Sequence, residues 1–499
     1  MRSKTVVMLV GALLLAACGT RLPDSAFEET RVSSGGGSSD ESAGDDFLDG
    51  GFDGSTTGGE STTDGAGTGS TGGSGSAGGS GSTGGSGSTG GTGGASGPNQ
   101  ASDVGITPTS ITLGTIVAEN GVLDDAFAPA ARGLRAWTQA TNAQGGINGR
   151  KVILKTCDDR EDRSRALECA RRLIEQDEVF AMVATNTRAF GGAAEYINSK
   201  GVPVIGIPIT NSFYRYPHMW SGYPNGYPRD GKTVGYKGKL MSLSGSYRWF
   251  KTTQGVTKAA VFSYDIDESK QAGNFIAQGL ELEGFQVKSY NVNFAAPSFD
   301  QAVAEMQNNG TQIIFDAMDD GANRKLCDAM ARRNFSVKAK VSTIVSFGAA
   351  VGDAYNDTCR NSVFIVGESK PYTSTDVPAI AEFRNAFSRY QPGQPLHQWA
   401  LEAWAQATLV ADAVKAMGPA PTRKGLEDYF RSLDGYTAGG IMVGLDWKPQ
   451  DYEAKTWEDC FTVARWLDNK GGWVTATDKF PFCYPDAKQY GTPALEQGN

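Results

Sequence analysis

The sequence predicts an α/β fold of two doubly wound lobes with parallel sheets, preceded by a disordered tether. The excess among the 65 glycines lies mostly in one block, residues 33–98, which has almost no large apolar residue. After Asp103, short β-branched runs alternate with amphipathic stretches, as in strands joined by helical crossovers. These runs number about ten, more than one compact sheet usually carries, so we expect two lobes.

The first twenty residues have the layout of an export signal. Two basic residues precede an apolar run, Val6–Ala17, which is too short for a permanent membrane-spanning helix. The run ends in Leu15-Ala16-Ala17-Cys18-Gly19, which is similar to a bacterial lipobox. An ordinary signal, the alternative, would place a cysteine at the cleavage point only by accident. We therefore predict a signal peptide over 1–18, a lipidated Cys18, and a location on the extracytoplasmic face of a bacterial membrane, at the cell surface or in the periplasm.

Residues 19–102 are predicted to form the disordered tether. From 65 to 97 the chain contains only Gly, Ser, Thr and Ala, a composition that cannot form a core. A flexible coil of this length has a root-mean-square reach of about 50 Å. The formal net charge of −9 comes with no cluster of Lys and Arg. We therefore expect no nucleic-acid binding, and membrane contact through the lipid anchor only.

Cysteine usage fits an oxidising compartment. Of seven cysteines, six remain once Cys18 is set aside, which suits three disulfides. The six fall in three sequence-local couples, which predicts the pairs Cys157–Cys169, Cys327–Cys359 and Cys460–Cys483. Metal ligation would need Cys-x-x-Cys or nearby histidines, and the sequence has neither. We therefore predict no metal and no cofactor.

The alternation after Asp103 locates the individual elements. Strands are predicted at Ile111–Val117, Val152–Leu154, Val179–Val183, Val202–Ile207, Ala259–Phe262, Val287–Val292, Gln312–Phe315, Val341–Val345 and Val363–Val366. Helices are predicted at Ala126–Thr141, Ser164–Gln176, Ser269–Glu283, Phe299–Asn308, Gly321–Arg333 and Leu396–Met417. Near the end, Phe461–Leu467 and Gly472–Thr475 flank a glycine-containing loop, which predicts a hairpin that the last disulfide would staple.

Three glycine-punctuated segments carry a family resemblance. They are Gly105-Ile106-Thr107-Pro108-Thr109-Ser110-Ile111-Thr112-Leu113-Gly114-Thr115, then Asn142-Ala143-Gln144-Gly145-Gly146-Ile147-Asn148-Gly149-Arg150-Lys151-Val152 with Cys157-Asp158-Asp159, and Gly201-Val202-Pro203-Val204-Ile205 closing on Thr210-Asn211. In the second segment, the paired glycines would end the first helix and allow left-handed backbone. Together the segments resemble the type I periplasmic binding proteins, in the branch that includes the leucine/isoleucine/valine-binding proteins.

The resemblance implies two lobes joined by three hinge crossings, with a ligand enclosed as the lobes swing together. Lobe one would comprise residues 105–235 and 368–445, and lobe two residues 236–367 and 446–490, with a tail at 491–499. The implied protein is a monomer that captures a small polar or amino-acid-like solute and delivers it to the permease of an ABC importer in trans. A ligand sensor of the same fold, acting on a signalling partner, is the alternative. The absence of a fused signalling or membrane domain from the sequence favours delivery.

The resemblance places the ligand residues of lobe one on Thr187, Pro208 and Thr210. Hydroxyls and free backbone groups at strand ends suit a carboxylate or another polar head. The alternative is that both threonines cap the helices that follow them.

Lobe two departs from the family pattern. The aromatic position falls on Met318, and the position of the acid that pairs with an α-ammonium falls near Val345-Ser346, where there is no carboxylate. Asp267 and Asp319 are substitute acids in neighbouring strand-end loops. Acids follow the predicted strands Ala259–Phe262 and Gln312–Phe315, and they either contact the ligand or keep their loops solvated. They are Asp265, Asp267, Glu268, Asp319 and Asp320.

An aromatic-dense stretch runs from Phe213 to Trp220 and on through Tyr223 and Tyr227. It would either line the cleft and favour a flat or apolar ligand body, or pack its loop against lobe one. The sequence has only two histidines, His218 and His397, as candidates for the commonest catalytic base. We therefore predict that the protein is not an enzyme.

Overall fold

The structure, a computed structural model, describes residues 97–121, 124–265 and 267–494, with 124–126 and 267–268 described by their backbone alone. The predicted signal peptide, the predicted lipidation site Cys18 and most of the predicted tether lie outside the described residues. The rest of the chain forms two lobes, each built on its own sheet.

The first lobe contains a five-stranded sheet. Its elements are β1 (Ser110–Ile116), α1 (Asp124–Ala143), β2 (Lys151–Cys157), α2 (Arg163–Arg171) with a π-helical continuation (Arg172–Gln176), β3 (Ala181–Thr185), a 3-10 turn (Arg188–Phe190), α3 (Gly191–Ser199), β4 (Val204–Gly206), a second 3-10 turn (Asn211–Tyr214) and β5 (Met219–Ser221). The strand order is β2-β1-β3-β4-β5, and every pairing is parallel. The carboxyl ends of these strands therefore share one edge of the sheet.

The second lobe begins with the next six strands. Its elements up to the second crossing are β6 (Lys239–Leu243), α4 (Gly245–Thr253), β7 (Lys258–Tyr264), α5 (Asp267–Leu282), β8 (Gln286–Val292), α6 (Asp300–Asn309), β9 (Ile313–Ala317), α7 (Asp320–Arg332), β10 (Ala339–Val341), a 3-10 turn (Ile344–Ser346), α8 (Val351–Ala354), α9 (Asp357–Arg360) and β11 (Val363–Gly367). Strands β7 to β11 pair in parallel.

The chain then returns to the first lobe before it completes the second. The returning helices are α10 (Pro378–Tyr390), α11 (Gln398–Met417) and α12 (Arg423–Ser432). The closing elements are β12 (Trp457–Leu467), a 3-10 turn (Asp468–Lys470), β13 (Gly472–Thr475), β14 (Phe482–Ala487) and β15 (Gln489–Pro493). The second sheet has the order β13-β12-β11-β10-β9-β7-β8, with β14 also paired to β12 and with β12 antiparallel to β11, while β15 and β6 form a separate ribbon.

Three segments of chain therefore connect the two sheets: residues 222–238, 368–377 and 433–456. The α/β class, the parallel sheets and the two lobes were all predicted, and the structure confirms them. The three-segment connection agrees with the hinge that the family resemblance implied.

Helix α11 packs closely against α1 because Gly133 lies at their contact. A Cβ on Gly133 would come within 2.1 Å of the Ala400 carbonyl oxygen, so the close approach requires glycine here. The end of α1 also follows the prediction, since Gly145 and Gly146 have φ values of +97° and +80°. This packing fixes the amino-terminal turns of α11, which face the other lobe.

The three predicted disulfides, Cys157–Cys169, Cys327–Cys359 and Cys460–Cys483, are all present. The hairpin of β12 and β13 is also confirmed. The prediction that the last disulfide staples this hairpin is wrong, because Cys483 lies on β14. The disulfide joins β14 to the opposite position on β12.

One predicted strand is half wrong, and four strands went unpredicted. The run Val341–Val345 contributes one residue to β10 and then turns into the 3-10 segment Ile344–Ser346. The strands without a prediction, β5, β6, β14 and β15, have weak apolar patterns and depend on pairing with distant segments. Local periodicity does not reveal such strands.

Candidate functional site

A cavity of about 510 Å³ lies between the two lobes. Its wall is formed by all three connecting segments, by the end of β4, and by β6, β11 and β12 of the second lobe. The volume is within the range of small-molecule sites, roughly 300–1,000 Å³. A movement of one lobe relative to the other would therefore change the shape of the cavity.

One side of the cavity, here called the acidic side, consists of Glu368, Glu458 and Asp459. Glu368 follows β11 directly, whereas Glu458 and Asp459 lie at the start of β12. Enclosure by protein raises the pKa of Glu368 to about 8, with smaller contributions from the nearby Asp459 and Glu402 carboxyls. The Glu368 carboxyl has no hydrogen-bond or ion-pair partner among the described residues.

Asp459 is held by the amino terminus of helix α4. Its Oδ2 accepts a hydrogen bond of 2.8 Å from the backbone N–H of Gly245, the first residue of that helix. A Cβ on Gly245 would lie 2.4 Å from the same oxygen, so a larger residue would displace the carboxyl. Burial raises the pKa of Asp459 to about 6, although the Gly245 hydrogen bond acts in the other direction.

Another part of the wall, here called the aromatic side, consists of Tyr214, Tyr223, Tyr227, Tyr452 and Trp457. Tyr214 meets Tyr227 edge-on at 4.6 Å between ring centroids, and Tyr227 stacks on Tyr452 at 5.6 Å. Trp457 lies 5.4 Å from Tyr452. These rings support one another and present a large, preformed apolar surface to the cavity.

Two residues of the wall have buried polar atoms without a hydrogen-bond partner in the described chain. Both amide atoms of Asn225 are in this condition, and the side chain is only 8% exposed. The indole Nε1 of Trp457 is the second case. Because buried polar atoms are nearly always paired in folded proteins, these atoms are available to an occupant of the cavity.

A second enclosed carboxyl, Glu402 on α11, lies behind the wall. Its Oε1 accepts a hydrogen bond of 2.6 Å from the Ser369 hydroxyl, and its Oε2 accepts one of 2.7 Å from Tyr223. Burial raises the pKa of Glu402 to about 7. Unlike Glu368, this carboxyl has donors supplied by the protein.

The lobes also touch directly beside the cavity. Ile344 and Trp399 line it from opposite lobes, and the segments next to them are hydrogen-bonded. The Gln398 N–H donates to the Phe347 carbonyl at 3.0 Å, and His397 Nε2 lies 3.0 Å from the Val345 carbonyl. Burial lowers the pKa of His397, so a neutral ring that donates from Nε2 fits this contact.

The predicted ligand residues of lobe one have three different environments. Pro208 lies in the cavity wall. Thr187 is buried and its hydroxyl accepts a hydrogen bond of 3.0 Å from the Ala189 N–H, which is the capping alternative. Thr210 is also buried, but its hydroxyl caps nothing and has no partner among the described residues.

Two of the residues predicted for lobe two, Met318 and Asp319, lie outside the cavity wall. Met318 is fully buried in the core, and Asp319 caps α7 while it accepts a hydrogen bond from Tyr264. The side chain of Asp267 lies outside the described residues. Asp320 accepts hydrogen bonds from Ser346 and, at 2.9 Å, from Tyr355. A carboxyl from the first residue of α7 thus contacts Ser346, although Ser346 itself carries no acid.

Some residues of the aromatic stretch pack in the core and others line the cavity, so each of the two predictions holds for part of it. Phe213 and Trp220 are buried in the cores of lobe one, whereas Tyr214, Tyr223 and Tyr227 line the cavity. Sequence reasoning missed Glu368, Asp459 and Asn225. The first two follow or begin strands of the second sheet, but nothing local in the sequence shows that β12 returns beside β11.

A metal centre receives no support from the described part of the chain. The single group of three potential ligands there is Glu458 with Cys460 and Cys483, and the two cysteines form a disulfide. None of the described helices combines the length and apolar character that crossing a bilayer requires.

Comparisons with known proteins agree with this architecture. A family model described as "Periplasmic binding protein" matches residues 110–472. A fatty acid ABC transporter substrate-binding protein from Thermomonospora curvata is similar in structure, with a TM-score of 0.57 and 15% identity over 76% of this chain and 95% of that one. A leucine-binding protein from Thermotoga maritima has a TM-score of 0.55 and 13% identity, over 73% of this chain and 97% of that one.

A solute-binding protein of an ABC transporter from R. palustris, solved in complex with benzoate, gives a TM-score of 0.55 and 14% identity over 76% of this chain and 98% of that one. No curated protein matches the chain. At these identities the similar structures indicate the fold alone, and the family match covers well over half of the sequence.

Proposed function

The chain belongs to the periplasmic binding protein family, and from that premise we propose that it is an extracytoplasmic solute-binding lipoprotein. It captures a small polar solute between its lobes and delivers it to the permease of an ABC importer. The observation that carries the proposal is the cavity of about 510 Å³, which all three connecting segments line. Closure of the lobes around a solute would change the surface offered to the permease.

The cavity has the features of a recognition site. It combines a large aromatic side, a few enclosed carboxyls and buried polar atoms that lack partners in the described chain. Such a mixture of apolar surface and sparse polar groups is typical of small-molecule sites. The structural neighbours named for leucine, a fatty acid or benzoate support solute binding as the class of function.

Membrane attachment through Cys18 is a part of the proposal that rests on the sequence motif. The lipidated cysteine would hold the protein at the membrane, and the residues up to 102 would let it reach the permease. Replacing Cys18→Ala should release the protein from the membrane fraction of the producing cells. Retention of the variant in that fraction would contradict lipid anchoring.

The transport proposal is tested by deletion and complementation. Deleting the gene should abolish uptake of one class of labelled solute, and the wild-type protein should restore it. The variant Gly367→Leu should not restore uptake. Gly367 lines the cavity, and a Cβ added there has no atom within 4 Å, so the leucine side chain would extend into the cavity without disturbing its neighbours. Gly97→Leu is the matched control outside the wall, and its Cβ is equally unobstructed.

Unchanged uptake of every solute tested after deletion would refute importer delivery. If the purified protein still bound a solute, a sensor of the same fold would become the better account.

A further inference from the structure

We propose that the solute is an organic cation: its amine or quaternary ammonium group lies beside Glu368 and Asp459, and its apolar or aromatic body lies against the aromatic side. This inference rests on the proposed function and deepens it by naming the chemical class of the solute. It is carried by the charge balance of the wall, by the aromatic side, and by buried polar atoms without partners.

The wall is strongly acidic. Five carboxyl side chains line the cavity, and within the described residues its wall includes no lysine, arginine or histidine. Asp434 is exposed and pairs with Lys448 at 2.6 Å, so part of this charge is neutralised outside. Glu368 and Asp459 are half-buried in the wall. Asp459 would repel a solute carboxylate and attract a cation, and a cation beside Glu368 would favour the ionised form of that carboxyl.

The Glu368 carboxyl requires a partner that the described chain does not supply. Glu368 is half-buried, and removing part of a carboxylate's hydration without a counter-ion or donor is unfavourable, whereas a cation placed beside it stabilises the charge. The contrast with Glu402 is direct, since that carboxyl accepts hydrogen bonds from two protein hydroxyls. An ammonium group of the solute would donate hydrogen bonds to Glu368, as the hydroxyls of Ser369 and Tyr223 do to Glu402.

The aromatic side suits the same ligand class. Cations are attracted to the faces of Trp and Tyr rings within about 6 Å, and several rings together form the cages that recognise quaternary ammonium groups. Tyr452 and Trp457 continue the wall next to the acidic side, because Trp457 directly precedes Glu458 and Asp459 in β12. A cation at this corner would contact rings and carboxyls together.

Asn225 provides an observation that does not depend on the acids. It is only 8% exposed, lines the cavity, and has neither its amide nitrogen nor its oxygen paired with another described residue. The Trp457 Nε1 donor is in the same condition. These atoms lie in the cavity wall and could bind a hydroxyl or a second amine of the solute.

A bare metal ion fits the wall less well than an organic cation. In the described part of the chain, no three of the cavity's carboxyl groups converge to within 4.8 Å of one another. Divalent metals bound by proteins through oxygen need several such ligands around one point. The volume and the ring surface would also be left unused.

The test is a binding panel in which the ligand body is constant and the charge varies. Tryptamine, indole-3-ethanol and indole-3-acetate are to be compared on the purified full chain by thermal shift and titration calorimetry. Choline and spermidine add other cations, and glucose adds a neutral polyol. We expect one or more of the cations to raise the protein's melting temperature. If tryptamine binds, it should bind at least tenfold more tightly than indole-3-ethanol and indole-3-acetate; choline or spermidine should bind at least tenfold more tightly than glucose.

Glu368→Gln keeps the shape of the side chain and removes its charge. It should weaken binding of the cation at least tenfold, while Glu195→Gln, on the exposed surface of α3, should leave the affinity unchanged. Circular dichroism establishes that both variants fold. Equal cation affinity in wild type and Glu368→Gln would overturn the inference.

The panel also separates the inference from the function on which it rests. Binding confined to indole-3-acetate, indole-3-ethanol or glucose would overturn the cationic solute and leave solute binding intact. Failure of every compound to bind, extended to amino acids, amides, aromatic acids and short peptides, would count against both.

Discussion

Two groups of charged residues, one inside the second lobe and one at its edge on the cavity, are balanced in different ways. Inside the sheet, Lys340 on β10 forms an ion pair of 2.8 Å with Asp316 on β9, and neither side chain is accessible to solvent. Lys340 also donates to Asn323 and Ser342 at 2.8 Å and 2.6 Å. On the acidic side of the cavity, Glu368 and Asp459 are half-buried, and the wall contains no basic residue among the described residues.

The difference indicates that the Lys340–Asp316 pair stabilises the fold, whereas the acidic side of the cavity is adapted to binding. For the Asp316 carboxylate inside the sheet, the chain supplies the cation Lys340 and further hydrogen bonds. Ser342 belongs to that network and also lines the cavity, so the balanced and unbalanced groups are close neighbours. The missing cation at the cavity is therefore a property of this site and not of the lobe as a whole.

The largest expected effect comes from breaking the balanced group. Lys340→Met leaves the Asp316 carboxylate buried without its partner, which should lower the free energy of unfolding by about 3–5 kcal/mol. Chemical denaturation monitored by circular dichroism would measure this loss. Lys338→Met, two residues upstream and exposed, is the matched control and should cost less than about 1 kcal/mol.

The double variant Asp316→Asn with Lys340→Met removes both charges and should recover part of the loss. A neutral effect of Lys340→Met alone would show that the lobe tolerates an unpaired buried carboxylate. The comparison with Glu368 would then carry no functional meaning.

The second prediction concerns the pH dependence of the solute-free protein. Burial raises the pKa of Glu368 from 4.5 to about 8, that of Glu402 from 4.5 to about 7, and that of Asp459 from 3.8 to about 6. A raised pKa means that the folded state holds the proton more tightly. These carboxyls therefore add stability below about pH 4, and this stability is lost as the pH rises to about 8.

Between pH 5 and 8 we expect the free energy of unfolding to fall by several kcal/mol, because each pKa unit corresponds to about 1.4 kcal/mol. His397 acts in the opposite direction, because burial lowers its pKa, and Arg248, which acts on Asp459, moderates the effect. Denaturation series at pH 5, 6.5 and 8 would measure the slope. Stability that increases steadily over this range would contradict the enclosed, unbalanced acidic side.

Much of the fold follows from local features of the sequence, and much of the site does not. The alternation of strands and helices, the glycine pair after α1 and the three disulfides could all be predicted because each depends on residues close in sequence. Glu368 and Asp459 meet only because β12 runs antiparallel to β11, with Gly367 opposite Thr462. No local pattern specifies that pairing.

The two threonines illustrate the same limit. Thr187 and Thr210 both follow a strand and precede a 3-10 turn, so their local sequence settings are alike. Only Thr187 caps its turn, because its hydroxyl accepts a hydrogen bond from the Ala189 N–H. Which hydroxyl is engaged and which is left without a partner in the described chain depends on packing from distant residues.

A smaller effect, and one of opposite sign, is expected when the unbalanced group is neutralised. Glu368→Gln should stabilise the solute-free protein at pH 9 by about 1–2 kcal/mol, because the variant no longer encloses an ionised carboxyl. The gain should shrink at pH 6, where the wild-type carboxyl is protonated. Thermal unfolding at the two pH values measures both, with Glu195→Gln as the control that should shift neither. A destabilised variant at pH 9 would mean that Glu368 has a partner in the solute-free protein.

The smallest expected effect concerns Glu402, the carboxyl that already accepts hydrogen bonds from protein hydroxyls. Tyr223→Phe removes one of the two hydroxyl donors to Glu402 and should lower the free energy of unfolding by about 1 kcal/mol. The pKa of Glu402 should rise further, since the Tyr223 hydrogen bond lowers it. Tyr390→Phe, a half-buried tyrosine away from the cavity wall, should change stability by less than about 0.5 kcal/mol. If the two variants behaved alike, the hydroxyl donors would not distinguish Glu402 from Glu368, and the absence of such donors at Glu368 would lose its significance.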